Sequence, residues 1–187
     1  MQFYIKGTSC FHVATGAFLT NKKGGYEGNF VGEMETTKEI ADFLNRVDLL
    51  SIAAKLAESL EEQKIGFFYH GFLGVDMLLC RTNEGDLFLH PCSEINTRYN
   101  MGLVAHKLSS GIAPGSRGLF KILRQSKNPD NSISSLVRSN TAIWRENLLE
   151  SGIVILNPSE NREYVAILEA WKNPDAKYLL RFSDLQK

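Results

Sequence analysis

Asp76, Glu94 and Asn96 put two carboxylates and a carboxamide on the two arms of one apolar–polar–apolar stretch. Two carboxylates converging on one point repel each other unless a cation lies between them. Oxygen ligands of this kind suit magnesium, which shares such sites with water and phosphate oxygens. The arms are residues 74–80 and 87–96, and the turn between them, Arg81-Thr82-Asn83-Glu84-Gly85-Asp86, is a hairpin signal. A loop over residues 84–86 places Asp76 opposite Glu94. Asn96, two residues on, falls on the same face, because strand side chains alternate. That register also sets Cys80 opposite His90, with Cys92 on the same face. A zinc site drawn from these three and His70 lacks the tight Cys–Cys spacing such sites carry, so free thiols beside a packed histidine are expected.

The elements that must hold this hairpin follow from periodicity and punctuation. Residues 3–8 and 14–20 read as strands leading to the turn-rich Asn21–Gly25. Thr36-Thr37-Lys38-Glu39 has the pattern of a capping box, and Ile40, Phe43, Leu44 and Val47 form a helical stripe after it. Asp48 is placed to cap a second helix with Leu49, Ile52, Ala53, Leu56, Ala57 and Leu60 on one face. Met101, Val104, Ala105 and Leu108 predict a third, stopped at Gly111. Beyond the loop 111–118, the pattern predicts a strand at 119–123 and a helix over 132–150 ended near Gly152. Strands at 153–156 and 164–168 follow, and then an extended piece at 178–182. This order predicts an α+β fold with a mainly antiparallel sheet and helices packed on a face. A single domain is expected over 1–187, with 116–187 closing the hairpin's sheet or, as the alternative, forming a small C-terminal extension.

The run Val75-Asp76-Met77-Leu78 followed by Glu94-Ile95-Asn96 resembles the closing metal motif of the ATP-grasp superfamily. The likeness is closest to a bacterial branch and extends to Gly74, Pro91-Cys92, Arg98 and Met101-Gly102. It covers about residues 65–105, is weaker before 65, and carries nothing beyond about 115. The resemblance implies the C-terminal lobe of an ATP- and Mg2+-dependent carboxylate–amine or carboxylate–thiol ligase working through an acylphosphate. Asp76, Glu94 and Asn96 would then hold Mg2+. Arg98 is implied as the catalytic group, facing the transferring phosphoryl or the substrate carboxylate, which a planar guanidinium suits. Asn100, Met101 and Gly102, at a helix start, are implied to bind ATP through free N–H groups. Tyr26, Gly28 and Asn29 are implied to border the substrate. Gly74 stands where many ATP-grasp enzymes carry Arg, and the family's adenine hinge and phosphate-binding lysines lie upstream of the matching segment. A complementary N-terminal lobe is therefore the expected partner, with the chain inactive alone. The alternative is a non-catalytic, self-associating scaffold.

Composition narrows the field. The 187 residues are 43% hydrophobic and 22% charged, ordinary for a globular chain. Lys plus Arg equals Asp plus Glu, at 21 each, so no basic excess exists to hold nucleic acid. No apolar run approaches a bilayer's thickness, and the first residues do not read as a signal peptide, so no membrane partner is expected. Three cysteines in apolar surroundings read as reduced thiols of the cytoplasm. Residues 22–29 lack the strand–loop–helix setting of a phosphate loop and read as a hairpin connection. His12 reads as structural. Trp144, Trp171 and Phe182 are expected in the core or at an interface between copies of the chain, since homo-oligomerisation would cover apolar surface.

Overall fold

The computed structural model describes residues 1–21, 23–34, 36–125, 133–157 and 163–172. The expected extended piece at 178–182, with Phe182, lies outside them. The protein is α+β, as the sequence predicts, with two antiparallel sheets and four α-helices among the described residues. Its contacts divide into two units, one of residues 1–15 and 38–103, the other of residues 16–37 and 104–187.

The first unit is a four-stranded sheet in the order β2-β1-β5-β6, built from β1 (Gln2–Lys6), β2 (Ser9–Ala14), β5 (Gly71–Arg81) and β6 (Leu87–Asn96). Phe3 and Ile5 of β1 alternate inward beside Leu73 and Val75 of β5, all four essentially inaccessible to solvent. Each such side chain contributes about 2 kcal/mol through lost water contact. α1 (Lys38–Arg46) buries Ile40. α2 (Leu49–Glu62) covers the core face of the sheet, and all six residues of its predicted stripe pack there. Its start is as expected: the Asp48 carboxylate accepts the Ser51 N–H at 2.9 Å. The even-numbered residues Gln2, Tyr4, Phe72, Gly74 and Asp76 fall on the opposite face by alternation.

The second unit is a six-stranded sheet in the order β3-β4-β7-β10-β9-β8. Its strands are β3 (Phe18–Thr20), β4 (Tyr26–Gly32), β7 (Arg117–Arg124), β8 (Ile143–Arg145), β9 (Leu148–Ile155) and β10 (Tyr164–Trp171). β7 pairs with β4 and β10 rather than extending the hairpin's sheet, so the expectation that residues after 116 close that sheet is corrected. The helix expected over 132–150 is only α4 (Ile133–Ser139). After Asn140 the chain turns into the β8–β9 hairpin, whose turn residues Glu146 and Asn147 are both left-handed. That backbone is what a tight antiparallel turn requires. Gly152 does not stop a helix. It sits inside β9 at φ +98°, where a Cβ would strike the backbone of Thr141 and Ala142. α3 (Met101–Leu108) begins in the first unit.

Candidate functional site

The β5–β6 hairpin brings Asp76 opposite Glu94, but by a different route from the loop length that the sequence suggested. The strands are paired out to Arg81 and Leu87, so the loop is Thr82–Asp86, closed by the Thr82 N–H donating to Asp86 O at 2.8 Å. From that tip, Cys80 faces Phe88 and Leu78 faces His90. Between the Leu78–His90 pair and the Asp76–Glu94 pair, β5 advances two residues and β6 four. The bulge falls at Pro91-Cys92-Ser93, where proline has no N–H to give the ladder. Ser93 Oγ donates to Asp76 O at 3.0 Å in place of a backbone bond. Tip and base thus run in different registers, and the base register sets the two carboxylates face to face.

The expected Cys80–His90 opposition is lost to the same bulge, and His90 is exposed rather than packed. Among the described residues no three His, Cys, Asp or Glu side chains gather as a metal site, which leaves the zinc reading unsupported. The hairpin set is of another composition, two carboxylates and one amide. Asn96 is its centre. Its Nδ2 donates to Asp76 Oδ2 at 3.2 Å, and its Oδ1 accepts from Arg98 Nη2 at 2.8 Å. Asp76 is half-buried and Glu94 exposed. Burial pushes the Asp76 carboxyl above its ordinary value and the facing Glu94 adds to the rise. The Met1 ammonium, Arg98 and the Asn96 bond oppose it. Neither Asp76 nor Glu94 has an ion-pair partner among the described residues. An ion seated between them would relieve both the repulsion and the desolvation, and Asn96 would turn its oxygen to it from Arg98.

The α3 start lies on this same sheet face. Asn100 Oδ1 caps the helix by accepting the Leu103 N–H at 3.2 Å. A Cβ at Gly74 would collide with Asn100 Nδ2, and one at Gly102 with Gln2 Nε2. Gly74 is therefore glycine because Asn100 occupies the space its side chain would need. Sequence reasoning missed Gln2 altogether; its only signal was a polar residue alternating with Phe3 and Ile5.

The residues implied to border a substrate lie on β4 of the second unit. Tyr26 Oη donates to Asn29 Oδ1 at 2.8 Å, and burial pushes the Tyr26 hydroxyl well above its ordinary pKa. Gly28 is needed where β4 crosses the Phe120 carbonyl. His12 is structural, its ring against Phe3 at 5.6 Å and its Nε2 within 3.0 Å of Thr15 Oγ1. In the second unit a shallow cavity of about 250 Å3 lies beside Trp144, floored by Leu149, Leu156 and Leu168. Lys107 is its one ionisable lining group. Trp144 itself is exposed, 56% accessible, rather than core. No helix among the described residues is long and apolar enough to cross a membrane. No family model matches the chain, and no curated protein does.

Proposed function

We propose that the β5–β6 hairpin is the magnesium site of an ATP-grasp-like carboxylate ligase module, acting in the cytoplasm together with a lobe that carries the adenine-binding hinge and phosphate-binding lysines. The observation that carries this reading is the Asp76–Glu94 pairing, two acids set opposite each other across the ladder with no ion-pair partner among the described residues. In this arrangement Asp76, Glu94 and Asn96 would hold Mg2+, which would supply positive charge to stabilise a phosphoryl group. Arg98, tethered to Asn96, aims its guanidinium at the reacting oxyanion, the phosphoryl or the acid's carboxylate. The chain's own part is positioning and electrostatics. Three free cysteines fit a reducing compartment.

The test is magnesium-dependent ATP binding by calorimetry, with Mn2+ substituted for magnesium to broaden NMR signals near the ion. Broadening should centre on Asp76, Glu94 and Asn96. The Asp76→Ala, Glu94→Ala double variant should lose at least about a hundredfold in ion affinity, since losing an outer-shell contact alone costs that order. An ion that ignores the hairpin would sink this reading. It would favour a self-associating scaffold, to which the exposed Phe67, Phe68 and Leu78 would lend apolar contact.

A further inference from the structure

One face of the six-stranded sheet is packed, with Ile153 and Ile155 of β9 and Val165 and Ile167 of β10 against Ile133 of α4. The other face carries the cavity beside Trp144. Val154 and Leu168 stand directly opposite across β9 and β10, and Leu156 follows Val154 by alternation. Leu149 faces Trp144 across the β8–β9 hairpin. It is an odd number of residues from Val154, a spacing that regular alternation sends to opposite faces. The left-handed Gly152 lies between the two, and both line the cavity. The rim is as specific as the floor. Lys107 of α3 is exposed at the edge, and its ammonium has no ion-pair or hydrogen-bond partner among the described residues. No carboxylate among the described residues lines the cavity, and its neutral polar lining residues are Ser110 and Asn147. More than half of the Trp144 surface stays in water beside the leucines, apolar area that an occupant would cover. The volume of about 250 Å3 is just below the roughly 300–1,000 Å3 of most ligand sites, so that occupant is small.

We infer that this cavity binds a small monocarboxylic acid, its apolar body on Leu149, Val154, Leu156 and Leu168 beside the Trp144 indole and its carboxylate on the Lys107 ammonium. Apolar walls with one convergent charge fix both the orientation and the sign of the ligand. A single compact cation matches a single negative charge. A phosphate monoester, with a charge of about −1.5 to −2, would keep part of its charge unmatched. The cavity holds no residue of the β5–β6 hairpin, and the inference is independent of the ligase reading.

NMR titration of the full chain with sodium hexanoate tests this, followed on the Trp144 indole N–H and the Lys107 ε-methylene. Trp144→Phe and Lys107→Met assign the two signals. Both should shift saturably in the millimolar range, the affinity that about eight heavy atoms supply at ordinary ligand efficiency. Hexanol and hexylammonium carry the same chain without the anion. Hexanol should bind about fivefold more weakly, the worth of a solvent-exposed ion pair, and hexylammonium should not bind in that range. Lys107→Met should weaken hexanoate about fivefold and erase its advantage over hexanol. Leu156→Glu, at an exposed wall position, should abolish hexanoate binding by setting a like charge in the cavity. Trp144→Ala, read on the Lys107 signal, should weaken it too and serves if the glutamate variant does not fold. Signals that stay fixed, or shifts that spread equally to the exposed Phe67 and Phe68, overturn the inference. So do hexanol or hexylammonium binding as tightly as hexanoate, and a Lys107→Met protein that binds as well as wild type.

Discussion

The two sheets treat their carboxylates in opposite ways. In the six-stranded sheet three acids have cations: Glu169 meets Lys121 at 2.6 Å, Glu163 meets Arg124 at 2.9 Å, and Glu150 meets Lys172 at 2.9 Å and Arg145 at 3.3 Å. The Lys172 bond to Glu150 holds that carboxyl below its ordinary value. In the four-stranded sheet Asp76 moves the other way, pushed up by burial and by a second acid across the ladder. The hairpin does pair charge elsewhere, since Arg81 near its tip meets Glu39 at 2.7 Å. The acid pair without an ion-pair partner among the described residues is thus local to the base of the hairpin. Facing acids in a defined register cost stability that a bound cation would return.

That contrast is breakable by substitution. The largest effect is expected in the six-stranded sheet. Gly152→Ala combines a left-handed backbone with a Cβ driven into the Thr141 and Ala142 backbone. Chemical denaturation should show a loss of about 3–4 kcal/mol, and a loss under about 1 would mean the β8–β9 hairpin yields easily. Next, Lys121→Met leaves Glu169 largely buried beside an apolar side chain. A loss of about 2 kcal/mol is expected, between the surface and fully buried cases, and Lys121→Met with Glu169→Leu should recover most of it. No recovery would show that the pair is not what sets the cost.

The smallest effect has the opposite sign and lies in the hairpin. Asp76 holds its proton more tightly in the folded chain than in the unfolded one. The stability this contributes is fully present below the unfolded carboxylate value and is lost as pH rises through the folded value. Asp76→Asn mimics the protonated acid. It should raise Tm by about 1–2 °C at pH 7 without metal, solvent screening keeping the gain small, and flatten the pH dependence through the carboxylate range. A lower Tm would place Asp76 among the structural acids and erase the distinction between the sheets.

The sequence carried the α2 cap and stripe because capping and helical spacing act within a few residues, and both are as Asp48 and Leu49–Leu60 suggest. The face shared by Asp76 and Glu94 was legible for a related reason, since parity survives a change of loop length. The bulge at Pro91 was not deduced, although a proline inside a strand was its visible signal. The overlong helix came from reading apolar spacing through residues 132–150, where Asn140 and Asn147 mark turns and Gly152 lies inside β9, a layout that only strand pairing brings into register. Gln2 escaped because its neighbours, Asn100 and Gly102, are brought to it by the path of the chain after β6. No local pattern encodes that path.

The bulge in β6 has one more consequence. β6 is the outer strand of its sheet, and it and its hairpin partner expose Leu78, Phe88 and Ile95, which together would invite a foreign strand to add on. An incoming strand needs an unbroken row of donors and acceptors at constant spacing. The surplus residues around Pro91 break that spacing. The device that aligns the carboxylates therefore also guards the edge against stacking into aggregates.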